Sequence, residues 1–168
     1  MRRSRTGRIC RTGQTGGTVS GEARAGGARR PPVVQCCVRQ VNAVFELSVE
    51  CQFSAAHSIR GHPGRCSRLH GHNYRVVVAV TAERLNDQGM VIDFADLKAI
   101  CQRAIDPLDH TVLNELVPFA AVNPTAEELA RHIFGLIADE LSMMPEPRVK
   151  LDRVSVYESE RSYASYRG

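Results

Sequence analysis

The sequence has no long apolar run, no C-x-x-C pair and a single acidic residue, Glu22, in its first 40 positions. Without an apolar stretch of about 20 residues there is no candidate membrane-spanning helix, and we expect no membrane contact. Six cysteines without paired spacing do not form the pattern of a disulfide scaffold, so we expect a reduced, cytoplasmic setting. No apolar segment follows the N-terminal arginines, so we expect no secretory signal peptide.

The positive charge lies almost entirely in residues 1–40. This stretch holds nine arginines and carries +8, whereas residues 41–168 carry −4, within an overall net charge of +4. The part expected to fold is therefore mildly acidic and has no basic stripe. We expect no direct contact with nucleic acid.

A length of 168 residues fits one domain. Residues 1–40 are rich in Arg, Gly, Thr and Ser and have too few apolar residues to offset the entropy of ordering, so we expect a disordered extension. An RNA-binding arm, an organelle-targeting arm and a dispensable extension are alternative functions for it. Residues 41–168 are expected to form the folded domain.

Two segments have the alternating pattern of strands with one buried face. From Phe45 to Phe53 apolar residues occupy every second position, which predicts a strand here and an ordered chain from near Val41. From Tyr74 to Thr81 the same period recurs with many β-branched residues. A loop containing glycine and proline joins the two segments.

Two amphipathic helices are predicted next. Asp93 can cap a first helix whose apolar residues recur at three- and four-residue steps, with Pro107 distorting its last turn. Thr125 and Glu128 have the spacing of a capping box for a second helix that ends near Ser142.

Two more strands are predicted near the C-terminus, one from Val149 to Val156 and a short one around Tyr163 and Tyr166. The predicted order is β-β-α-α-β-β. This order is typical of an α+β domain in which two helices cover one face of an antiparallel sheet.

Three histidines lie where the first two strands meet. His70 and His72 flank Gly71, so an extended chain directs both side chains to one side, about 7 Å apart. They share the parity of Tyr74, and His57 shares the parity of the first strand, so all three are expected on buried faces. Three neutral imidazoles that leave a fourth position open are the ligands of a catalytic zinc ion, Zn²⁺. Paired histidines also occur on ordinary strands, so spacing alone leaves that alternative open.

Cys66 precedes His70 by four residues, at the end of a loop that contains Arg65. A cysteine near a divalent cation and an arginine is expected to have a lowered pKa and to act as a thiolate. It can serve as a base, a nucleophile or a fourth zinc ligand. The alternative is a small buried apolar side chain.

Two further acidic positions stand out. Asp109 and His110 follow the first helix and can form a proton relay in which the carboxylate fixes the tautomer of the imidazole. The alternative is a histidine that stabilises a helix end.

Glu158 directly follows an apolar strand, where its carboxylate can accept two hydrogen bonds from an amidine-like ligand edge. An exposed glutamate at a strand end is the alternative for Glu158.

Taken together, these residues resemble the family of 6-pyruvoyl-tetrahydropterin and 6-carboxytetrahydropterin synthases. The resemblance covers nearly all of residues 44–168 in family order. The matching segments are F-S-A-A-H (53–57), C-S-R-L-H-G-H-N-Y (66–74), G-M-V-I-D-F-A-D-L-K (89–98), L-D-H-T-V-L-N (108–114), N-P-T-A-E (123–127) and V-Y-E (156–158).

The resemblance implies the tunnelling fold (T-fold), in which subunits join as trimers that stack into a homohexamer, a dimer of trimers. It implies zinc as the cofactor and 7,8-dihydroneopterin triphosphate as the substrate. It also implies a role for each matching residue: His57, His70 and His72 bind zinc, Cys66 is the catalytic base, Asp109 and His110 relay protons from a neighbouring subunit, Glu158 anchors the pterin, and Thr125 and Glu127 lie near the pterin pocket.

The loop before the paired histidines helps to separate the branches of this family. Three residues lie between Cys66 and His70, a shorter spacer than in the animal-type pyruvoyl branch, and this favours the carboxy branch, a lyase of queuosine biosynthesis. The pyruvoyl branch, which eliminates triphosphate without cleaving a carbon–carbon bond, is the first alternative. A non-catalytic zinc- or pterin-binding assembly protein is the second. No Gly-rich phosphate loop of the P-loop or dinucleotide type is present.

Overall fold

Two long strands form the centre of the fold. The computed structural model describes residues 44–144 and 149–168, so the predictions for residues 1–40 lie outside the described part. Strand β1 (Phe45–His57) and strand β2 (His70–Ala82) pair antiparallel along their whole length, with Phe45 opposite Ala82 and His57 opposite His70. Both strands therefore extend beyond their predicted ends and include the three histidines.

Three shorter strands complete a five-stranded sheet in the order β3-β1-β2-β4-β5. Strand β4 (Lys150–Ser159) pairs antiparallel with β2, and β5 (Ser162–Tyr166) pairs antiparallel with β4. Strand β3 (Thr111–Val112) pairs parallel with β1. The predicted antiparallel sheet is therefore mixed, because the chain after Pro107 returns along the free edge of β1 for two residues.

Both predicted helices and their N-caps are confirmed. Helix α1 (Phe94–Ile105) begins after Asp93, whose carboxylate accepts the Ala95 N–H at 2.7 Å. It ends before Pro107, and a 3₁₀ turn (Asp106–Leu108) follows.

Helix α2 (Ala126–Ser142) begins after Thr125, whose hydroxyl accepts the Glu128 N–H at 3.4 Å. Its last residue, Ser142, is the predicted end. No described helix has the length and apolar character needed to cross a membrane.

The core lies between the helices and one face of the sheet. Alternate residues of the strands supply the sheet side, and every third or fourth residue of the helices supplies the other. The fully buried members include Tyr74, Val76, Val78, Leu97, Cys101, Leu129, Ile133, Val154 and Val156. The α+β class is confirmed.

The opposite sheet face carries charged and aromatic side chains. Arg75 pairs with Glu50 at 3.1 Å, and its guanidinium lies 3.8 Å from the centre of the Tyr157 ring. Tyr157 in turn stacks on Tyr163, with ring centres 4.5 Å apart. No described helix packs on this face, whose side chains alternate with those of the core.

Candidate metal centre and active site

The central strand pair brings three imidazoles together. His57 is the last residue of β1, its partner His70 is the first of β2, and His72 follows at the next position on the same face. One nitrogen from each ring lies within 4.8 Å of the others. His57 is only 1% exposed, and His70 and His72 are partly buried.

Backbone carbonyls fix the tautomers of two of these rings. His57 Nδ1 lies 2.7 Å from the Pro124 carbonyl oxygen, and His70 Nδ1 lies 2.8 Å from that of Arg68. A carbonyl only accepts, so each Nδ1 carries the proton, and in a neutral ring each Nε2 then presents a lone pair. Such contacts are typical of metal-binding histidines, because they orient the ring and increase the basicity of the ligand nitrogen.

The facing nitrogens fit a cation. His57 Nε2 and His70 Nε2 are 3.1 Å apart, and with both protons on Nδ1 neither atom can donate to the other. His72 Nε2 is buried and has no hydrogen-bond partner among the described residues. Two nitrogens bound at about 2.0–2.1 Å to one tetrahedral ion lie roughly 3.3 Å apart, close to the observed separation. The buried triad can therefore hold a metal ion.

Burial favours the neutral form of His57. Removal from water lowers the pKa of His57, against smaller opposing effects of its hydrogen bond with Pro124 and of the nearby Glu158 carboxylate. Glu158 Oε1 lies 3.9 Å from His57 Nε2. A neutral imidazole is the form that binds metal, so this environment favours binding over protonation near neutral pH.

A cavity of about 310 Å³ brings together four of the residues that the sequence singled out. Its lining includes Cys66, Thr125, Glu127 and Glu158. The N-terminal turn of α2 supplies two of them, the end of β4 supplies the glutamate, and the loop between β1 and β2 supplies the cysteine. Since Glu158 also lies near His57, the cavity adjoins the histidine triad.

Cys66 is exposed and lies in a 3₁₀ turn, Arg65–Ser67. Its carbonyl accepts the Ile59 N–H at 2.7 Å, which holds the two limbs of the loop together. The alternative of a buried apolar cysteine is therefore wrong for Cys66. Cys51 and Cys101 occupy such core positions instead.

Asp109 and His110 lie at a different place. The Asp109 carboxylate accepts the Ser54 N–H at 2.8 Å and contacts His110 Nδ1 at 2.9 Å. These contacts, the Ser54 N–H first, lower the pKa of Asp109. His110 has a positive φ of 56°, its N–H binds the Ser54 carbonyl at 2.6 Å, and its side chain is 82% exposed.

His110 borders a second cavity, of about 490 Å³. His72 also borders this second cavity. Most of the β1 and β2 residues that line it, namely Ser54, Ala56, Gly71 and Asn73, lie on the sheet face opposite the core. The structure thus places Cys66 and Glu158 at one cavity and His110 at the other; of the triad, His57 lies close to Glu158, and His72 borders the cavity of His110.

Several contacts of the site were missed in the sequence. The carbonyls of Pro124 and Arg68 have no residue-specific signal, because every residue carries a carbonyl. Ser162 and Tyr163, the first two residues of β5, also line the first cavity. Asn114 and Asn123 bind the loop after His57, and their occurrence inside two of the matching segments was the available signal.

Comparison with known proteins agrees with this geometry. The family model described as 6-pyruvoyl tetrahydropterin synthase matches residues 46–168. The chain belongs to this family. The match includes every residue of the histidine triad and both cavities.

Curated relatives within the family carry two different names. The chain is 32% identical over 148 residues to the 6-carboxy-5,6,7,8-tetrahydropterin synthase of Haemophilus influenzae, covering 73% of this chain and 99% of that one. It is 40% identical over 109 residues to the 6-pyruvoyl tetrahydrobiopterin synthase of Homo sapiens, covering 62% and 72%.

A solved structure of the family has the same fold. The 6-pyruvoyl tetrahydropterin synthase of Caenorhabditis elegans superposes with a TM-score of 0.64 at 29% identity, covering 75% of this chain and 96% of that one. The tunnelling fold expected from the sequence is therefore confirmed.

Proposed function

We propose that this chain is a zinc-dependent lyase of queuosine biosynthesis. It converts 7,8-dihydroneopterin triphosphate and water to 6-carboxy-5,6,7,8-tetrahydropterin, acetaldehyde and triphosphate. The observation that carries the proposal is the buried triad, with two Nδ1 atoms bound to carbonyls and one unpaired Nε2, next to a cavity lined by Cys66 and Glu158.

Zinc is the metal that best suits this donor set. Three imidazole nitrogens without a cysteine ligand, close to a cavity, are typical of catalytic rather than structural zinc sites. Bound by the three Nε2 atoms, zinc would act as a Lewis acid toward the oxygens of the substrate side chain.

Each remaining residue has a role that its position supports. Glu158 lines the cavity near the end of β4. Its carboxylate would accept two N–H groups from the guanidine-like edge of the pterin and so fix the orientation of the ring. Thr125 and Glu127 border the same cavity and would contact the ring from the start of α2. Cys66 would then remove a proton from the side chain carbon held nearby.

Asp109 and His110 would relay protons in the later steps. The carboxylate holds His110 Nδ1 at 2.9 Å, so Nε2 is free to exchange a proton with substrate. Because His110 borders a different cavity from Cys66, we propose that the pair serves the site of a neighbouring subunit. A homohexamer, as a dimer of trimers, supplies such a neighbour.

The 6-pyruvoyl product is the second candidate. It is favoured by the 40% identity to the Homo sapiens 6-pyruvoyl tetrahydrobiopterin synthase, although the match covers 72% of that chain. The three-residue spacer between Cys66 and His70 and the 99% coverage of the Haemophilus influenzae relative favour the carboxy product.

The deciding experiment is incubation of the zinc-loaded full chain with 7,8-dihydroneopterin triphosphate, followed by separation of the pterins and assay of acetaldehyde. We expect acetaldehyde and 6-carboxytetrahydropterin in equal amounts. Cys66→Ala, checked for its zinc content, should bind zinc and form neither product.

The other outcomes are informative as well. A 6-pyruvoyl product without acetaldehyde would assign the chain to the pyruvoyl branch. Bound zinc without turnover of this substrate would support the non-catalytic assembly protein and overturn the proposed reaction.

A further inference from the structure

Two asparagine side chains bind the short segment that connects the metal-binding His57 to the Cys66 loop. Asn114 Oδ1 accepts the Ser58 N–H at 2.7 Å, and Asn114 Nδ2 donates to the Ser58 carbonyl at 2.8 Å. Asn123 binds Arg60 in the same way, at 2.8 and 3.0 Å. A side-chain amide carries both a donor and an acceptor, so each asparagine satisfies both backbone groups of its partner.

Ile59, the residue between Ser58 and Arg60, binds the backbone of Cys66. Ile59 donates its N–H to the Cys66 carbonyl at 2.7 Å. Ser58 and Arg60 flank Ile59, so the direction of the Ile59 N–H depends on both asparagines. The backbone of the candidate base is therefore fixed relative to two side chains that do not line its cavity.

The loop that contains Asn123 also orients the imidazole ring of His57. Pro124, whose carbonyl accepts from His57 Nδ1 at 2.7 Å, directly follows Asn123. The Arg60 guanidinium donates to the carbonyls of Phe119 at 2.9 Å and Val122 at 2.6 Å, which closes the loop from the other side. His57 and Cys66 are thus attached to one framework.

We propose that Asn114 and Asn123 are positioning residues that hold the His57 ligand and Cys66 in a fixed relation across the cavity. The proposal deepens the proposed function, since it assumes that the metal and Cys66 act on one substrate. The quantities that test it, however, are measured without a pterin. Loosening either asparagine weakens metal binding through His57 and frees the Cys66 loop, although neither asparagine touches the metal or the thiol.

The test compares Asn114→Ala and Asn123→Ala with Asn86→Ala in the full chain. Asn86 is a matched control, because its Oδ1 accepts the Gln88 and Met90 N–H groups at 3.0 and 2.8 Å in the turn between β2 and α1. That turn carries none of the candidate site residues. All three variants remove an asparagine that stabilises a loop.

Three quantities are measured for each variant. Zinc affinity is obtained by competition with a chromophoric chelator, and the alkylation rate of Cys66 is followed by peptide mass mapping, which separates it from the other cysteines. The thermal unfolding temperature reports loss of stability.

We expect Asn114→Ala and Asn123→Ala to weaken zinc binding by up to about 10-fold, because a group bonded directly to a ligand is worth about 10- to 100-fold and each asparagine acts on His57 only through the backbone. Both should also speed alkylation of Cys66. Asn86→Ala should lower the unfolding temperature and leave the other two readings at their wild-type values.

Wild-type zinc affinity and wild-type Cys66 alkylation in both variants would overturn the proposal, whatever their unfolding temperatures. If Asn123→Ala fails to fold, Asn123→Asp takes its place. It keeps the acceptor for the Arg60 N–H and loses the donor to the Arg60 carbonyl, so its zinc affinity should be lower than that of wild type. Equal zinc affinity in wild type and Asn123→Asp, with an unchanged alkylation rate, would count against the proposal.

Absence of pterin turnover in the wild type would overturn the proposed function alone. Zinc affinity and alkylation would still report whether the two asparagines position His57 and Cys66.

Discussion

His72 differs from the other two histidines of the triad in its hydrogen bonding. His57 and His70 each donate a proton to a backbone carbonyl, whereas the buried Nε2 of His72 has no partner among the described residues. An unpaired buried polar atom costs about 1–3 kcal/mol. The buried Nε2 of His72 therefore destabilises the metal-free protein, and under the proposed function it is a ligand in the metal-bound one.

This difference predicts opposite effects of two substitutions on the metal-free protein. His72→Leu removes the unpaired nitrogen, so the metal-free variant should unfold at the wild-type temperature or above it. His57→Leu leaves the Pro124 carbonyl unpaired and should unfold lower. Neither variant should gain the zinc stabilisation of wild type, about 2.7 kcal/mol at a zinc concentration 100 times the Kd.

Differential scanning calorimetry with chelator and with zinc measures both effects. Equal destabilisation of the two metal-free variants would contradict the view that His72, unlike His57, depends on no backbone carbonyl of the described residues. A full zinc shift in either variant would contradict its role as a ligand.

His132 gives a pH dependence that is independent of the metal. It lies in α2 with its ring against Phe119, and burial lowers its pKa from the ordinary 6.5. The unfolded chain binds a proton near pH 6.5 that the folded chain binds only at lower pH, so stability falls as the pH drops below about 6.5. The loss ends once the pH is below the pKa of the folded state.

Urea unfolding of the chelated protein between pH 7 and pH 5 measures this dependence. We expect His132→Gln to lose less stability than wild type across this interval. The same loss in both proteins would show that His132 titrates alike in the folded and unfolded states.

At the scale of elements, the start of α2 both stabilises the helix and contributes to the candidate site. Thr125 caps the helix through its hydroxyl and also lines the cavity with Glu127. The cap contact of 3.4 Å to the Glu128 N–H is long, so its contribution should lie in the lower part of the usual range for caps.

Thr125→Ala should lower the free energy of unfolding by about 0.5–1 kcal/mol, because the Glu128 N–H loses its acceptor. Thr125→Ser keeps the hydroxyl and should retain most of the stability. Urea titration of the metal-free variants measures the difference. Equal losses in both variants would show that the methyl group, not the cap, stabilises this turn.

The elements also show what the sequence can predict. The placement of His70 and His72 on one face follows from the period of a strand, a purely local property, and was correctly predicted. Strand β3 was missed because two residues, Thr111 and Val112, carry no periodicity and are held by pairing with β1. The acceptor role of Pro124 was missed because contact between residues 67 positions apart depends on the tertiary fold.

At the scale of the molecule, β3 and β5 are the outer strands of the sheet. Strand edges that no described segment pairs with favour association with another chain. The sheet face on which no described helix packs, with its ion pairs and stacked tyrosines, suits a polar interior in such an assembly. The homohexamer is still a prediction, which native mass spectrometry of the full chain measures.

Cys66 and His110 border different cavities, and from this we predict that subunits altered at one residue complement subunits altered at the other. Cys66→Ala and His110→Ala should each be inactive alone. If His110 serves the neighbouring site, hexamers formed by mixing the two variants contain some sites with both groups intact, and activity should return. A mixture as inactive as its components, despite subunit exchange seen by mass spectrometry, would place the relay within one chain.

If His110 serves the site of a neighbouring subunit, as proposed, its position has a consequence for heredity. A cell with two damaged copies of the gene, one altered at Cys66 and the other at His110, would still make the product, whereas two copies altered at the same position would not. The alleles would sort into two complementation groups within a single gene. Each group would correspond to one of the two cavities.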